Sequence, residues 1–280
     1  VLLWDVTHQK ISIDEAESPT SASGSGEWLI WIEESGQDVS ITATNVISKT
    51  NRTLGGMTWE STPQVVSSGN SFVIYNEFRA DYFRHDSGTG TLEPIFSEPS
   101  VESLIDISIS SASSDSGYIA MLSNESLRIV DTSDRSTRIL ESASNSSVIA
   151  SSGSLVAFSE NSPSGPTVNI TSVDSDLTLT ILLDPRSSNR IEESIRNSGA
   201  LLDFGNSTIV ELVMDSNWLV ATVDVGPFNR TIIVDTLSIN QTLISNPRWD
   251  SSSPSIGEGK VAFLQVTRDD IISTSQDSLR

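Results

Sequence analysis

The run Leu155-Val156-Ala157-Phe158 is one of six short, mostly apolar stretches that decide how this chain folds. Four apolar residues in a row, flanked by Gly, Ser or Asn, are typical of a strand that is buried on both faces. The other five stretches are Trp28-Leu29-Ile30-Trp31, Phe72-Val73-Ile74-Tyr75, Tyr118-Ile119-Ala120-Met121, Leu219-Val220-Ala221-Thr222 and Lys260-Val261-Ala262-Phe263. Their starts are 37 to 46 residues apart, except for one interval of 64, so the chain is predicted to contain an internal repeat.

Each copy of this run has the same kinds of neighbours along the chain. A shorter strand of small residues precedes it, and Pro often stands at the entry of that strand, where a missing N–H costs least. A third strand follows and ends in an Asp, Asn or Ser that closes a turn by bonding its own backbone. The predicted third strands are 39–45, 82–86, 127–131, 168–172 and 231–235, and the fourth strands are 53–54, 92–96, 137–140, 178–182 and 242–244.

The sixth copy lacks its last two strands at the C-terminus, and the N-terminus supplies them. Residues 1–5 and 9–13 have the pattern of a third and a fourth strand, and Trp4-Asp5-Val6-Thr7 aligns with Val234-Asp235-Thr236-Leu237. A circular repeat of this kind is the mark of a β-propeller. The sequence therefore predicts one all-β domain over 1–280, a six-bladed propeller closed by pairing of its N- and C-terminal strands.

The interval of 64 residues predicts an insertion between two blades, at 184–207. Its centre has the pattern of a short helix: Ser188 or Asn189 caps it, and Ile191 and Ile195 share one face. Glu192 and Arg196 are placed for an ion pair four residues apart. The alternative is a degenerate seventh blade built from 200–204 and 209–214.

The connections between copies carry a resemblance to a known family. Two of the connections before first strands begin with Trp and run into Ser, Thr and Pro: Trp59-Glu60-Ser61-Thr62-Pro63 and Trp249-Asp250-Ser251-Ser252-Ser253-Pro254. Third strands have endings such as Ile233-Val234-Asp235-Thr236. In these features the chain resembles the TolB-like six-bladed propellers. The resemblance implies a partner-binding scaffold, often periplasmic or surface-exposed, without common catalytic residues. The chain departs from the family in having few Asp-Gly turns.

Composition excludes several kinds of site. The chain has no Cys and only two His, His8 and His85, which excludes thiolate metal centres and disfavours a Ser-His-Asp triad. A net charge of −21 argues against nucleic acid or an anionic membrane as partner, and no apolar run is long enough to span a bilayer. No cofactor is predicted, although acids near Asp174 and Asp269 leave Ca²⁺ possible.

An exterior location is predicted from the sequons and the chain ends. Seven Asn-x-Ser/Thr sequons make glycosylation and a cell-surface or extracellular glycoprotein the expectation. The ends at Val1 and Arg280 indicate a processed or excised domain. The candidate glycosylation sites are Asn51, Asn124, Asn145, Asn169, Asn206, Asn229 and Asn240.

Arginine and tryptophan supply the candidate binding residues. The insertion and the connections on its side of the propeller carry several Arg in a strongly acidic chain, and Arg is the usual partner of carboxylates at interfaces. The predicted recognition residues are Arg79, Arg186, Arg190, Arg196, Arg268, Trp59 and Trp249. The alternative is a helix that plugs the channel and pairs its Arg with nearby acids. For Trp28, Trp31 and Trp218, packing between blades is expected.

Three functions follow as hypotheses. The first is a non-enzymatic extracellular or cell-surface module that binds a protein or glycan partner, either alone or within a larger surface assembly. The second is a carbohydrate- or lactone-acting hydrolase, with or without a requirement for Ca²⁺. The third is a propeller that docks or gates a catalytic domain of a larger protein. The predicted first strands are rich in Ser, Thr, Val and Ile, with Asp106 and Glu211 as acidic exceptions, which is evidence against catalysis.

Overall fold

The computed structural model consists of antiparallel sheets and one helix, and the chain divides into two compact units. The first unit contains strands β1 to β10, the second contains β12 to β24 with the helix, and β11 is shared between them. The structure describes residues 2–3, 11–12, 19–25, 28–35, 38–45, 47–53, 63–68, 71–76, 79–86, 91–98, 104–111, 117–123, 126–140, 146–162, 164–175, 177–197, 202–257 and 259–267.

The first unit holds two four-stranded sheets and a two-stranded one. The small sheet pairs β1 (Leu2–Leu3) with β2 (Ile11–Ser12). The next sheet contains β3 (Pro19–Ser25), β4 (Trp28–Ser35), β5 (Asp38–Asn45) and β6 (Thr50–Thr53). The third contains β7 (Gln64–Ser68), β8 (Ser71–Asn76), β9 (Arg79–Asp86) and β10 (Thr91–Glu98).

The second unit continues the same pattern. Its first sheet contains β11 (Leu104–Ser111), β12 (Gly117–Ser123), β13 (Leu127–Asp131) and β14 (Thr137–Leu140). Two more follow, with β15 (Ile149–Ser152), β16 (Leu155–Ser162), β17 (Gly165–Ser172) and β18 (Thr178–Leu182), then β19 (Thr208–Asp215), β20 (Trp218–Asp224), β21 (Asn229–Asp235) and β22 (Asn240–Leu243). The last pair is β23 (Asp250–Gly257) and β24 (Lys260–Val266).

The predicted four-strand repeat is confirmed in five sheets of the described chain, in each of which the strands follow one another in chain order. The apolar runs form the second strand of each of these sheets, and residues such as Ile30, Phe72 and Val156 are fully buried. Strand β6 begins three residues before its predicted position. Trp28 and Trp31 are buried as expected. The prediction for Trp218 is wrong, because this residue begins β20 beside a turn and is 42% exposed.

The turns between third and fourth strands are closed by the acid or amide that the sequence predicted. Asn45, Asp131 and Asp235 each accept the N–H of the residue two positions later through a side-chain oxygen, at 2.7 to 3.0 Å. In each turn the fourth residue after the acid or amide donates its N–H to the backbone carbonyl of that residue, and it has a positive φ. These residues are Lys49, Arg135 and Ile239, none of them Gly.

The first strands of neighbouring sheets are joined by a repeated hydrogen bond. Ser21 Oγ accepts Val65 N–H, Asp106 Oδ2 accepts Ile149 N–H, and Glu211 accepts Ser253 N–H with both carboxylate oxygens. Each pair is 42 to 44 residues apart. The two acids that stood out in the predicted first strands therefore satisfy backbone donors of the next sheet.

The predicted insertion and its helix lie between β18 and β19. Helix α1 covers Asn189–Asn197, and the carbonyl of Ser188 accepts the N–H groups of Ile191 and Glu192. Ile195 is 3% exposed and packs with Ile191 into an apolar cluster that includes residues of β17, β20 and β21. The described residues contain no helix that is long and apolar enough to cross a membrane.

Candidate functional site

A buried ion pair fixes the insertion to the sheet of β19 to β22. Arg230, in β21, is fully buried, and Glu192, in α1, is 6% exposed. Nη1 of Arg230 donates to Glu192 Oε1 at 2.7 Å, and Nη2 donates to Glu192 Oε2 at 3.2 Å. This two-point geometry is the strongest form of Arg–carboxylate pairing, so it holds the helix in one orientation.

The same guanidinium also joins two connecting segments. Nη1 donates to the carbonyl of Pro185 at 2.7 Å, and Nη2 donates to that of Pro247 at 3.1 Å. The ring of Phe204 lies 5.5 Å from the Arg230 guanidinium carbon, within cation–π range. Both ends of the insertion and the β22–β23 connection therefore meet at one buried side chain.

The charge of Glu192 is maintained by its partners. Burial alone would raise the pKa of this carboxyl, but hydrogen bonds from Arg230 and Ser187, together with the positive charge of Arg230, outweigh burial and lower the pKa. Ser187 contributes its N–H and its hydroxyl, each 2.6 Å from Glu192 Oε1. The carboxyl is therefore ionised at neutral pH and balances the buried arginine.

The outer side of this assembly carries exposed arginines. The Arg186 side chain is 62% exposed and its guanidinium lies 5.2 Å from the Phe204 ring centre. Arg190 is exposed on α1, and Arg248 donates through Nη2 to Ser194 Oγ at 2.8 Å. Trp249 follows Arg248 and is 39% exposed. Arg186, Arg190, Arg248 and Trp249 are named the arginine surface.

The structure thus links three of the predicted binding residues, Arg186, Arg190 and Trp249, through neighbouring segments of one unit. Arg79 lies at the start of β9 in the other unit, where its Nε donates to the buried Asp81 at 3.0 Å. Arg196 belongs to α1, but its side chain lies outside the described residues, as do Trp59 and Arg268. Sequence reasoning missed Arg230 and Arg248, since their partners are 38 and 54 residues away.

Searches with protein-family models and with curated protein sequences find no match to this chain. Solved structures do match. A prolyl endopeptidase structure aligns over 89% of this chain and 40% of its own, with 11% identity and a TM-score of 0.56. The acylaminoacyl peptidase of Pyrococcus horikoshii aligns over 94% of this chain and 44% of its own, with 11% identity and a TM-score of 0.56.

The chain shares the β-propeller fold. It spans less than half the length of these two peptidases. TolB from Acinetobacter baumannii is also similar, with 12% identity and a TM-score of 0.42 over 80% of this chain and 52% of that chain. The predicted resemblance to TolB-like propellers holds at the level of the fold and no further.

The candidate glycosylation sites differ in accessibility. Asn51, Asn206 and Asn240 are exposed, and Asn229 is partly buried at the start of β21. Asn169 is 7% exposed, and its Nδ2 donates to Glu160 Oε2 at 2.6 Å. Asn124 and Asn145 lie outside the described residues.

The acidic side chains of the described residues do not form a metal site. Within the part of the chain that the structure describes, no group of three or more His, Asp or Glu side chains is placed to hold a metal ion. Asp269 and Asp270, which the sequence offers as oxygen ligands, lie outside that part. Use of Ca²⁺ therefore stays a prediction.

Proposed function

We propose that this propeller is a non-enzymatic interaction module that binds a protein or glycan partner through the arginine surface. The observation that carries the proposal is the attachment of exposed arginines and an exposed tryptophan to a rigid support. Arg and Trp are enriched among residues that dominate binding energy at interfaces. Because the buried Arg230–Glu192 pair orders the insertion beforehand, its backbone does not have to be ordered on binding.

The distribution of charge supports this proposal. The chain has 16 basic residues against 37 acidic ones. Five of its arginines lie in the insertion or against it: Arg186, Arg190, Arg196, Arg230 and Arg248. Among those whose side chains the structure describes, only Arg230 is buried, and it needs one acid for its own neutralisation. The exposed members remain available to a partner.

An extracellular or cell-surface location belongs to the same proposal. It is supported by the exposed sequons at Asn51, Asn206 and Asn240. A larger surface assembly is the proposed context.

The proposed architecture has six blades, the last completed by the N-terminal strands. In the described residues β23 and β24 form a two-stranded sheet, as do β1 and β2. Strand β24 has alternate residues exposed, among them Leu264 at 61% and Val266 at 62%, whereas β20 is largely buried. Removal of residues 1–13 should therefore lower the melting temperature. An unchanged melting temperature would contradict closure by these strands.

The proposed function is tested with a triple variant of the surface, Arg186→Gln, Arg190→Gln and Arg248→Gln. A matched control replaces three exposed cations elsewhere, Arg52, Arg135 and Lys260, with Gln, and so changes the net charge equally. Partners are captured by cross-linking from the native source and identified by mass spectrometry. The proposal requires a partner that wild type and control retain and the surface variant loses. Equal capture by all three proteins would refute it.

A second candidate function is the docking or gating of a catalytic domain in a larger protein. It is favoured by the similarity to peptidases of which this chain spans less than half. The test is the complete gene sequence, followed by co-expression of the propeller with any neighbouring domain. Peptidase activity that changes when the propeller is removed would support this candidate.

A further inference from the structure

We infer that the arginine surface binds an acidic peptide segment of a protein partner, an inference that rests on the proposed function and specifies its partner. The chemistry required is a set of carboxylates that meet separated guanidinium groups, together with an apolar side chain that contacts an exposed aromatic ring. A short polypeptide strand with Asp or Glu between apolar residues has both.

Arg186 is held ready for a carboxylate. Its guanidinium lies over Phe204, the same ring that lies over Arg230. Its only ion-pair partner among the described residues is Asp184, at 3.8 Å, and both side chains are about three-fifths exposed. A pair this long and this exposed contributes little, so a partner's carboxylate can displace it. The planar guanidinium then offers two parallel donors.

Arg190 and Arg248 extend the surface along the helix. Ser194 is four residues after Arg190, which places the two on one side of α1 about 6 Å apart at Cβ. Arg248 reaches the same serine from the β22–β23 connection with one Nη group. Three exposed arginines thus come from the segment before α1, from α1 itself and from the β22–β23 connection, and Arg248 contacts the helix that carries Arg190.

The exposed acids in the same region disfavour a uniformly charged polyanion as the partner. Asp184, Glu193 and Asp203 are exposed in the insertion. Asp203 accepts hydrogen bonds from Asn206 Nδ2 and from the backbone N–H groups of Asn206 and Gly205, which lower its pKa and keep it charged. A polyuronate or a nucleic acid carries a charge on every repeat unit and would meet these acids as well as the arginines. A peptide can place neutral residues opposite them.

Trp249 gives the surface its apolar contact. It is 39% exposed at the end of the β22–β23 connection. Its backbone N–H donates to the carbonyl of Asn246, in a turn that also contains Arg248. Trp and Arg are among the residues enriched at the hot spots of protein interfaces. The exposed indole selects for a partner with an aliphatic or aromatic residue next to its acids.

The test uses labelled twelve-residue peptides and fluorescence anisotropy at about 0.15 M salt, where the screening length is about 8 Å and distant acids of the chain contribute little. One peptide alternates Glu with Leu, Ser and Tyr, and the second has Gln in place of every Glu. Polygalacturonate is the competing polyanion. The proteins are the full chain, the surface triple variant and the control triple variant, each with a folded far-UV spectrum and a cooperative melt.

The inference requires the Glu peptide to bind wild type and control with similar affinity. Relative to the Glu peptide with wild type, the Gln peptide should bind wild type at least about tenfold more weakly. The Glu peptide should bind the surface variant at least about tenfold more weakly as well. Equal binding of the Glu and Gln peptides, or no binding of either, overturns it, as does tighter binding of polygalacturonate. If the peptides fail while the surface variant still loses a captured partner, the proposed function stands and only the acidic-peptide assignment falls.

Discussion

Arg230 of β21 and Glu192 of α1 bind each other through two hydrogen bonds of 2.7 and 3.2 Å in a region closed to solvent. Neither charge is tolerable alone at that depth, because an unpaired buried ion loses its hydration without compensation. The insertion and the β-sheet therefore depend on each other for stability. The exposed arginines above them depend on that pair for their positions.

Replacement of Glu192 by Gln should destabilise the protein by about 3–5 kcal/mol, since it leaves Arg230 buried and unpaired. Urea unfolding monitored by circular dichroism measures the change. Glu193→Gln is the matched control, because Glu193 is the next residue and is exposed. Its effect should stay within about 0.5 kcal/mol. An equal decrease in unfolding free energy for both variants would show that the ion pair does not stabilise the protein more than an exposed glutamate does.

The same pair predicts a dependence of stability on pH. The pKa of Glu192 is lower in the folded state than its ordinary value, so the stabilisation is complete above the unfolded pKa of about 4.3. It is lost as pH falls through the folded pKa. The difference in unfolding free energy between wild type and Glu192→Gln should therefore shrink below about pH 4. A constant difference from pH 7 to pH 3 would contradict this assignment.

Asp106 can be tested against its counterpart in another sheet. Burial raises the pKa of Asp106, and the N–H groups of Ile149 and Ile107 oppose that rise. Asp106→Ser introduces the side chain that Ser21 uses for the same bond and should cost less than about 1 kcal/mol. Asp106→Val removes the acceptor and should cost about 1–3 kcal/mol. Thermal and urea unfolding give both values, and a smaller loss for Val than for Ser would refute the shared function.

The raised pKa of Asp106 has a sign opposite to that of Glu192. An acid that is harder to ionise when folded makes the protein less stable as pH rises from the unfolded pKa, about 3.9, through the folded one. Asp106→Ser should remove this part of the pH profile. The two carboxyls can thus be distinguished in one set of unfolding curves between pH 3 and pH 7.

Replacement of Ile239 by Gly should increase the stability of the protein. Its φ is 59°, a left-handed conformation that costs a residue with a Cβ about 1–2 kcal/mol, and its side chain is 48% exposed. Ile239→Gly should raise the unfolding free energy by about 0.5–1 kcal/mol after the flexibility of Gly in the unfolded chain is deducted. Leu237→Gly is the control, because Leu237 lies in the same turn and is not among the residues with positive φ. A loss of stability in Ile239→Gly would contradict the prediction.

The sequons should differ in occupancy when the chain is produced in a glycosylating host. Asn51 and Asn240 are exposed and should carry glycan. Asn169 should not be modified in the folded protein, because its Nδ2 is already bonded to Glu160 and its Oδ1 accepts the hydroxyl of Thr180. Mass spectrometry of glycopeptides measures occupancy at each site. High occupancy at Asn169 would mean that modification precedes folding of this sheet.

The strands could be predicted because their determinants are local. Four apolar residues such as Leu155–Phe158 specify a buried strand, and Asp131 or Asp235 closes the following turn with its own side chain. The exposure of Trp218 was not predictable, because Trp218 is the first residue of β20 and the start of a strand cannot be predicted to within one residue. Nor was the burial of Arg230, whose partners come from residues 185, 192 and 247. Long-range pairs leave no spacing pattern in a single sequence.

The acceptors that join neighbouring first strands have three different lengths. Ser21, Asp106 and Glu211 each bind one backbone N–H of the next sheet, at 2.9 to 3.2 Å, although their side chains reach progressively farther from the backbone. The same connection between neighbouring first strands is therefore made by side chains of three different lengths. The bond depends on an acceptor oxygen rather than on one side-chain length, so the acceptor can change without a change in the apolar residues of the sheet. Each of these connections can thus change its chemistry, between a neutral hydroxyl and a charged carboxylate, independently of the others.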